Sequence, residues 1–462
     1  MSRVDHAWLR MDTDANLMTI VSVWLIRPQL ALADLRQRVR DSLLAYPRFV
    51  QKVVEDATGA TWVGDAQFDI ARHVVAEKLP HGQAPLDALK HRVAELALQP
   101  LDAAHPLWQF QLIEDLDGER SALVMRAHHC IGDGIALTSV MLSMADGGKP
   151  PPHDPDDLAH EAHHENLADV LITPLSHAAI KAIGLTGQGM AKGLDVLAHP
   201  EGTLDMARIG VQATADVAAL ALMPDDSPTR LKGRAAPAKR VAWGEPLPLD
   251  EVKCAAKALG VTINDVLLAC VAGAIGAYLR AKGDDPTGQE IRAMVPVNLR
   301  PLEQAHQLGN RFGLAPLVLP IGIEHPGERL YAVHARMDAL KHSYQPLLAF
   351  ALLAVSGLMS KPVQSLITGL FARKCTAVMT NVPGPRERLA LCGRSVEQIM
   401  FWVPQSGDIG VGVSILSYAG GVQFGLITDA RMCPDPEAII AGFRPEFDKL
   451  MWLALMAPWP AL

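Results

Sequence analysis

The sequence predicts an α/β protein of two domains. Its 462 residues exceed what one hydrophobic core ordinarily supports. Short apolar runs alternate with segments whose apolar residues recur at helical spacing, which is typical of α/β folds. About a third of the way along the chain, residues 147–152 read Gly-Gly-Lys-Pro-Pro-Pro. Because glycine and proline at that density end regular structure, we place the end of the first domain there.

The first domain is expected to span residues 1–150 and to contain at least two strands and a helix. The predicted strands are Val21–Leu25 and Leu123–Ala127, and the predicted helix is Leu32–Leu44. Residues 151–235 are expected to form a helical interdomain linker, because much of this stretch is amphipathic and rich in Ala and Leu.

The second domain is expected to span residues 236–462. A long apolar helix, Ile263–Leu279, opens after Thr262. The second α/β stretch starts near Arg240–Trp243, and apolar runs with strand character lie at Ala293–Val297, Ala377–Thr380 and Gly410–Leu416. The two halves have similar strand and helix content, which permits a duplicated architecture without showing it.

Composition excludes several functional classes. The net charge of −8 argues against a general nucleic-acid binder, which would carry a basic excess. The six cysteines form no CxxC pair, which favours reduced thiols in the cytoplasm over a disulfide framework or a zinc ribbon. No apolar stretch reaches the roughly 18 residues of a membrane span, and Met1–His6 lacks the apolar centre of a signal peptide.

The most informative motif is HHxxxDG, at residues 128–134. His128 and His129 follow a strand, and Asp133 and Gly134 lie on the turn that leads into an apolar helix. This arrangement holds an imidazole at the edge of a core, facing open space. Such an imidazole can take a proton from a substrate hydroxyl and return it to a leaving group.

Each residue of the motif also has a structural interpretation. Two histidines at a strand end are often simply hydrogen-bonded to the backbone, and adjacent strand residues face opposite ways, so only one can face a given cavity. We select His129 as the base and expect His128 to pack behind it or to line the second face. Asp133 either orients the imidazole or ties down the loop, and the flanking glycines favour the structural role.

Two further groups are weighed against simpler alternatives. Cys130 invites a nucleophile hypothesis, but its thiol is expected to diverge from the His129 ring. His160, His163 and His164 have ligand-like spacing but lie in a polar interdomain stretch, so a solvated linker is favoured over a metal site.

Asn264 and Asp265 open the apolar helix, where both residue types cap helices well. The functional alternative is an Asn264 amide that hydrogen-bonds a substrate or an oxyanion. The segment Asn381–Pro385 is a turn after a strand and is weak evidence alone. The sequence contains no phosphate loop, dinucleotide-binding glycine fingerprint or HExxH motif.

Taken together, these motifs resemble the bacterial wax ester synthase/acyl-CoA:diacylglycerol acyltransferase family. HHxxxDG alone is shared with other acyltransferases and with peptide-synthetase condensation domains. The narrower similarity adds a PLW motif, an ND motif, a PVNLR segment, a GNxFG segment and a TNVPGP turn, at Pro106–Trp108, Asn264–Asp265, Pro296–Arg300, Gly309–Gly313 and Thr380–Pro385. The start of the chain, Val4–Leu9, departs from the family's usual start.

The resemblance implies two chloramphenicol-acetyltransferase-like domains, each a mixed β-sheet with helices, with a substrate tunnel at their interface. It implies transfer of a fatty acyl group from acyl-CoA, as co-substrate, to diacylglycerol or a long-chain alcohol. No cofactor is expected to be bound permanently, and no metal or nucleic acid is expected to take part. Asp133 is expected to pair with Arg300, as the related families pair these positions.

Two alternatives remain open at this point. One is a condensation-type enzyme that uses carrier-bound acyl groups, and the other is a non-catalytic lipid-binding relative. The apolar C-terminal stretch Phe443–Leu462 is expected to pack on the second domain, or to help a cytoplasmic protein contact the inner membrane or a lipid droplet peripherally.

Overall fold

A computed structural model describes residues 1–56, 59–80, 82–148, 223–299, 308–341 and 372–456, with residues 349, 361, 364 and 369. The predicted helical linker at 151–235 lies mostly outside the described residues. Its described part, residues 223–235, contains neither helix nor strand.

The part of the chain before residue 149 contains both helices and strands. They are α1 (Arg3–Leu9), β1 (Thr19–Arg27), α2 (Leu32–Ser42), β2 (Gln51–Asp56), β3 (Gly59–Gly64), α3 (Ile70–His73), β4 (Val74–Lys78), α4 (Pro85–Leu96), β5 (Trp108–Glu114), β6 (Ser121–His128) and α5 (Gly134–Ser143). A 3-10 turn lies at Pro47–Phe49.

The part of the chain after residue 222 also contains both helices and strands. They are β7 (Lys239–Trp243), β8 (Leu247–Pro248), α6 (Leu249–Ala258), α7 (Ile263–Ala281), β9 (Ile291–Asn298), β10 (Phe312–Leu319), α8 (Pro326–Lys341), β11 (Ala377–Pro383), β12 (Ala390–Leu391), β13 (Arg394–Trp402), β14 (Val411–Tyr418), β15 (Gly421–Asp429) and α9 (Pro436–Met456). Every strand and helix named from the sequence outside the linker overlaps one of these elements, so those predictions are confirmed.

Two mixed sheets organise the molecule. The first has the order β12–β13–β1–β6–β5–β4, and the second has the order β10–β9–β11–β14–β15–β7 with β8 beside β15. Each sheet contains both parallel and antiparallel pairs: β4 runs parallel to β5, and β11 runs parallel to β14. Helices cover the sheets, so the predicted pair of mixed α/β units is confirmed.

Two strands of the C-terminal half, β12 and β13, belong to the first sheet. β13 comes from the C-terminal half of the chain but pairs with β1 of the first sheet, with Val23 opposite Met400. β6 lies on the other side of β1, with Val23 opposite Val124. Strand β1 is therefore internal rather than an exposed edge. The predicted domain boundaries at residues 150 and 236 follow chain order, so they assign β12 and β13 to the second domain, although both strands lie in the first sheet.

A shared apolar cluster joins the two sheets. Helix α4 packs against β7, and Trp243 lies 5.8 Å from Trp402, measured between ring centroids. Val21 and Ile427, from different sheets, belong to the same buried cluster. The two halves therefore share apolar core, which holds the elements that flank the histidine pair in fixed relation.

Helix α7 is the core helix of the second half. Within the described residues it alone has the length and apolar composition to cross a membrane, but 78% of that apolar window is buried inside the protein. It packs against α8 and α9. A buried helix with such neighbours is explained by the core it forms.

Candidate active site

Strand β6 places the histidine pair at the end of the first sheet. All eight of its residues are buried, and it pairs with β1 on one side and β5 on the other. His128 is its last residue. The His129 N–H donates to the carbonyl of Met18 at 2.7 Å, so backbone pairing still holds the chain one residue past the strand.

The His129 ring is buried among aromatic side chains. It is 3% exposed and stacks on Trp8, with 4.2 Å between ring centroids and 15° between ring planes. Phe312 lies 5.4 Å from the same ring. Burial lowers the pKa of His129 to about 4, with the Asp133 carboxylate opposing this shift. The imidazole is therefore neutral at pH 7, as a general base must be.

Asn310 contacts the inner nitrogen of that ring. Its Oδ1 lies 2.8 Å from His129 Nδ1, while its Nδ2 donates to the His129 carbonyl at 2.7 Å. Because an amide oxygen only accepts, Nδ1 must carry the ring proton. The lone pair is thereby assigned to Nε2, which has no hydrogen-bond partner among the described residues.

His128 makes different contacts. Its Nδ1 accepts from the Cys130 N–H at 3.1 Å, and its Nε2 lies 3.4 Å from Asp12 Oδ1. Both ring nitrogens are thus used locally, which favours His129 as the base. The assignment of catalytic roles to either histidine stays a prediction.

Asp133 caps helix α5. Its Oδ1 accepts from the Ala136 N–H at 2.9 Å, and its Oδ2 accepts from the Arg311 backbone N–H at 3.2 Å. These contacts agree with the structural role favoured from the sequence. Gly134 is the first residue of α5. The expected partner Arg300 lies outside the described residues.

A glycine turn brings Asn310 to His129. Gly309 has a φ of +102°, a backbone conformation that suits glycine, and it pairs with Gly132 in an isolated β-bridge. The Gly309 N–H donates to the Ile131 carbonyl at 3.1 Å. The GNxFG and HHxxxDG segments, about 180 residues apart in the chain, are thus joined directly.

Cys130 is a buried thiol. It is fully buried, and burial raises its pKa well above the usual value. A protonated thiol without access is a poor nucleophile, which agrees with the alternative preferred from the sequence. His160, His163 and His164 lie outside the described residues. Within the described ranges, no three His, Cys, Asp or Glu side chains cluster as metal ligands would.

Asn264 and Asp265 lie in the first turn of α7. Asp265 forms a capping box with Thr262, and its Oδ2 lies 2.8 Å from His334 Nδ1. The Oδ1 of Asn264 accepts from Asn381 Nδ2 at 2.8 Å. Asp265 thus shapes the helix start, and the TNVPGP turn meets the ND motif through Asn381.

An apolar pocket lies between the first sheet and α5. Met125 and Ala127 line it. These two residues and His129 occupy every second position along the chain, so their side chains face the same side of the sheet. Its other lining residues are Ile20, Ser22, Trp24, Gly134, Leu137, Thr138, Met141, Leu142, Gly384, Pro385, Ile399, Phe401 and Leu416. The pocket therefore lies on the side of the sheet that the His129 ring faces.

Sequence reasoning missed three residues of this site. Trp8 and Asp5 lie in the N-terminal segment, where the family resemblance was weak, and Asn310 was noted only as part of the GNxFG segment. None of the three carries a local signal for its place in the site, because Trp8 and Asn310 contact His129, and Asp5 contacts Asn310, across distant parts of the chain. A carboxylate among the apolar residues Val4, Ala7 and Trp8 was the available clue.

Comparison with known proteins identifies the family. The model of the wax ester synthase/diacylglycerol acyltransferase catalytic domain matches residues 1–267, and that of the family's C-terminal domain matches residues 308–451. A probable diacylglycerol O-acyltransferase of Mycobacterium tuberculosis is 29% identical over 429 residues, covering 91% of this chain and 87% of that protein. A putative one from Mycobacterium bovis is similar to the same extent.

Solved structures show the same fold. The wax ester synthase/diacylglycerol acyltransferase from Marinobacter aquaeolei VT8 matches with a TM-score of 0.68 and 20% identity, covering 98% of this chain and all of that one. The first condensation domain of the calcium-dependent antibiotic synthetase matches with a TM-score of 0.61 and 15% identity, covering 99% and 96%. From the matched domains, the chain belongs to the wax ester synthase/diacylglycerol acyltransferase family and is an acyltransferase.

Proposed function

We propose that this acyltransferase moves a long-chain fatty acyl group from acyl-CoA to the hydroxyl of diacylglycerol or of a long-chain alcohol. The observation that carries the proposal is His129, a buried neutral imidazole whose Nδ1 is occupied by Asn310. Its Nε2 has no partner among the described residues and is the atom that can accept a proton.

The proposed reaction needs one base and no acyl-enzyme. Nε2 of His129 takes the hydroxyl proton while the alcohol oxygen attacks the thioester carbonyl carbon. The tetrahedral intermediate collapses, the carbon–sulfur bond breaks, and the imidazolium returns the proton to the coenzyme A thiolate. Burial makes the imidazolium a strong acid, which favours that return. The acyl group is already activated as a thioester, so the proposed chemistry uses no permanently bound cofactor.

The oxyanion of the intermediate needs a hydrogen-bond donor. Asn264 stays our candidate, because its Oδ1 is engaged by Asn381 while its Nδ2 has no partner among the described residues. The position of Asn264 at the start of α7 adds the partial positive charge of a helix N-terminus. A tunnel between the two units, open to acyl-CoA at one end and to the alcohol at the other, belongs to the same proposal.

The apolar pocket supports a long-chain substrate. Its lining contains only two hydroxyl side chains, Ser22 and Thr138, among apolar residues, and it lies on the face of the sheet that carries His129. We assign the pocket to an alkyl chain, since apolar surface binds such chains without losing hydrogen bonds. Water excluded from such a site cannot compete with the alcohol for the thioester.

We further propose that the protein is cytoplasmic and contacts a lipid surface through the end of α9. Trp452, Leu455 and Met456 are 65%, 56% and 72% exposed and share one face of the helix. Exposed apolar side chains grouped in this way favour insertion into a lipid interface over charge-driven binding. Coenzyme A esters and diacylglycerol would meet at such a surface.

Vesicle flotation tests this surface. Neutral phosphatidylcholine vesicles should carry the wild-type protein, and a Trp452→Ser/Met456→Ser variant should float several-fold less. Val63→Ser removes an apolar side chain that is 43% exposed on another part of the surface, and serves as the matched control. Equal flotation of all three proteins would contradict a role for the α9 end.

An acceptor assay tests the proposed reaction. Purified protein is given palmitoyl-CoA, and thiol release is followed with hexadecanol, with dioleoylglycerol and with neither. We expect release that depends on an acceptor, and the better acceptor then distinguishes wax ester synthesis from triacylglycerol synthesis. Acceptor-independent release would indicate a thioesterase. No release from folded protein would favour a carrier-dependent or non-catalytic relative.

A further inference from the structure

The first helix, α1, carries a buried carboxylate next to Asn310. Asp5 is 2% exposed, and its Oδ1 accepts from the Asn310 backbone N–H at 3.0 Å and from Asn310 Nδ2 at 2.7 Å. A buried carboxylate is costly unless hydrogen bonds or opposite charges compensate it. Here Asn310 supplies both hydrogen bonds to that oxygen, and the Arg48 guanidinium supplies a favourable charge nearby.

These contacts decide which end of the Asn310 amide faces His129. Nδ2 lies between two acceptors, the Asp5 carboxylate and the His129 carbonyl. A flipped amide would place its oxygen against both acceptors and lose both hydrogen bonds. The flip would also present an NH2 group to His129 Nδ1, which would then have to accept, and the ring proton would move to Nε2. Nε2 could no longer act as a base.

We propose that Asp5 is a positioning residue, which acts through Asn310 to hold His129 in the tautomer whose lone pair is on Nε2. The inference rests on the proposed function, because it matters only if Nε2 receives the hydroxyl proton. It goes beyond that function by placing a residue of the N-terminal helix, about 120 positions before the histidine pair, in control of the base. Asp5 touches no reacting atom in this scheme.

The helix that carries Asp5 is itself held in place. Trp8, one turn further on, stacks on the His129 ring, and the Ala7 carbonyl accepts from Gln364 Nε2 at 2.8 Å. Ser2 caps the helix by accepting from the Asp5 N–H at 3.1 Å. These contacts tie α1 to both halves of the chain. They therefore hold the Asp5 carboxylate oxygen in position to accept from Asn310.

Two substitutions separate the acceptor oxygen from the charge. Asp5→Asn keeps an oxygen that can accept both hydrogen bonds from Asn310, whereas Asp5→Ala removes it. In the full-length protein with ¹⁵N-labelled histidine, the ring ¹⁵N shifts of His129, assigned from the spectrum of His129→Ala, report which nitrogen carries the proton. Wild type and Asp5→Asn should show protonated Nδ1. Asp5→Ala should show the proton shared with or moved to Nε2.

The kcat of each Asp5 variant should change in parallel with the tautomer of His129. Asp5→Ala should lower kcat about 10- to 100-fold, within the roughly 100- to 10,000-fold that a general base contributes, with KM for palmitoyl-CoA nearly unchanged. Asp5→Asn should stay within about threefold of wild type. Asp226→Ala is the matched control: it also removes a buried carboxylate that accepts backbone and side-chain hydrogen bonds, but its partners are Arg292 and Thr376, far in the chain from His129.

The outcomes distinguish this inference from the proposed function. If Asp5→Ala keeps Nδ1 protonated and keeps its kcat, Asp5 does not position His129. If Asp226→Ala loses kcat as much as Asp5→Ala does, the loss reflects general destabilisation, and the inference falls. Retained activity in His129→Ala would instead overturn the base itself. Should Asp5→Ala not fold, Asp5→Leu replaces it, because leucine also removes the acceptor oxygen but fills the space with a branched side chain. Retained Nδ1 protonation and retained kcat in that variant would refute the inference.

Discussion

His129 combines features that act together at the scale of one side chain. Its backbone N–H is held by Met18, its Nδ1 by Asn310 and its ring face by Trp8. Each contact removes one freedom: position along the strand, tautomer and ring rotation. What remains is a single nitrogen with a lone pair in a nearly dry environment, which is the state a general base needs before substrate arrives.

Trp8 should control both the pKa and the dryness of this base. Burial holds the pKa of His129 at about 4, so removing the indole should let it rise toward the ordinary value of 6.5. The base works when neutral; the acid limb of kcat/KM for Trp8→Ala should therefore move to higher pH. Water in the vacated space should also increase acceptor-independent thiol release.

Trp8→Phe provides the comparison, since it keeps a ring to stack on the imidazole. Its pH profile should stay close to that of wild type. An unchanged acid limb in Trp8→Ala would show that the indole does not account for the desolvation of His129. The indole N–H, which is buried without a partner among the described residues, is tested by the same variant: a large fall in kcat for Trp8→Phe would assign it a role.

At the scale of elements, two helices, α1 and α5, lie beside His129 and contact different parts of the site. α5 begins with the Asp133 cap and lines the apolar pocket, while Trp8 of α1 stacks on the imidazole. The sheet end between them carries His129, the proposed base. Under the proposed function, α5 governs substrate length and α1 governs the basicity of His129, so we expect the effects of substitutions in the two helices to be separable.

Met141 tests the pocket as the site of the alkyl chain. It lies about two turns along α5 from Gly134, so a larger side chain there should shorten the pocket without reaching His129. Met141→Trp should shift the preferred acyl-CoA or alcohol to shorter chains by a few carbons, measured as the ratio of kcat/KM across a chain-length series.

Ser139→Trp is the control for Met141→Trp, because Ser139 is on the same helix but does not line the pocket. Its chain-length profile should match that of wild type. A profile for Met141→Trp that is lower overall but unshifted would show that the alkyl chain lies elsewhere.

Sequence patterns predicted the helices and strands themselves better than the strand pairings and side-chain contacts between them. β6 and α7 have apolar patterns that specify a buried strand and a buried helix whatever surrounds them. By contrast, the pairing of β13 with β1 and the contact of Asn310 with His129 join residues far apart in the chain. Periodicity is local and carries no information on such pairs, which is why motif resemblance could name the histidines but not the residues that hold them.

At the scale of the whole molecule, the site exists only when both halves of the chain are assembled. His129 comes from the first sheet, Asn310 from the turn before β10, and Trp8 from the N-terminal helix. The exchange of β13 and the shared cluster around Trp402 fix the two sheets against each other. We infer that the halves serve catalysis together, which agrees with the family's division of one enzyme into two matched domains.

The central claim is that His129, rather than its neighbour, is the base of acyl transfer, and paired substitutions test it most directly. His129→Ala and His128→Ala are compared with wild type for acceptor-dependent thiol release, for palmitoyl-CoA binding and for thermal unfolding. The account predicts that His129→Ala folds and binds palmitoyl-CoA but loses about 100- to 10,000-fold in kcat, and that His128→Ala loses much less. Full activity in His129→Ala, or the larger loss in His128→Ala, would contradict it.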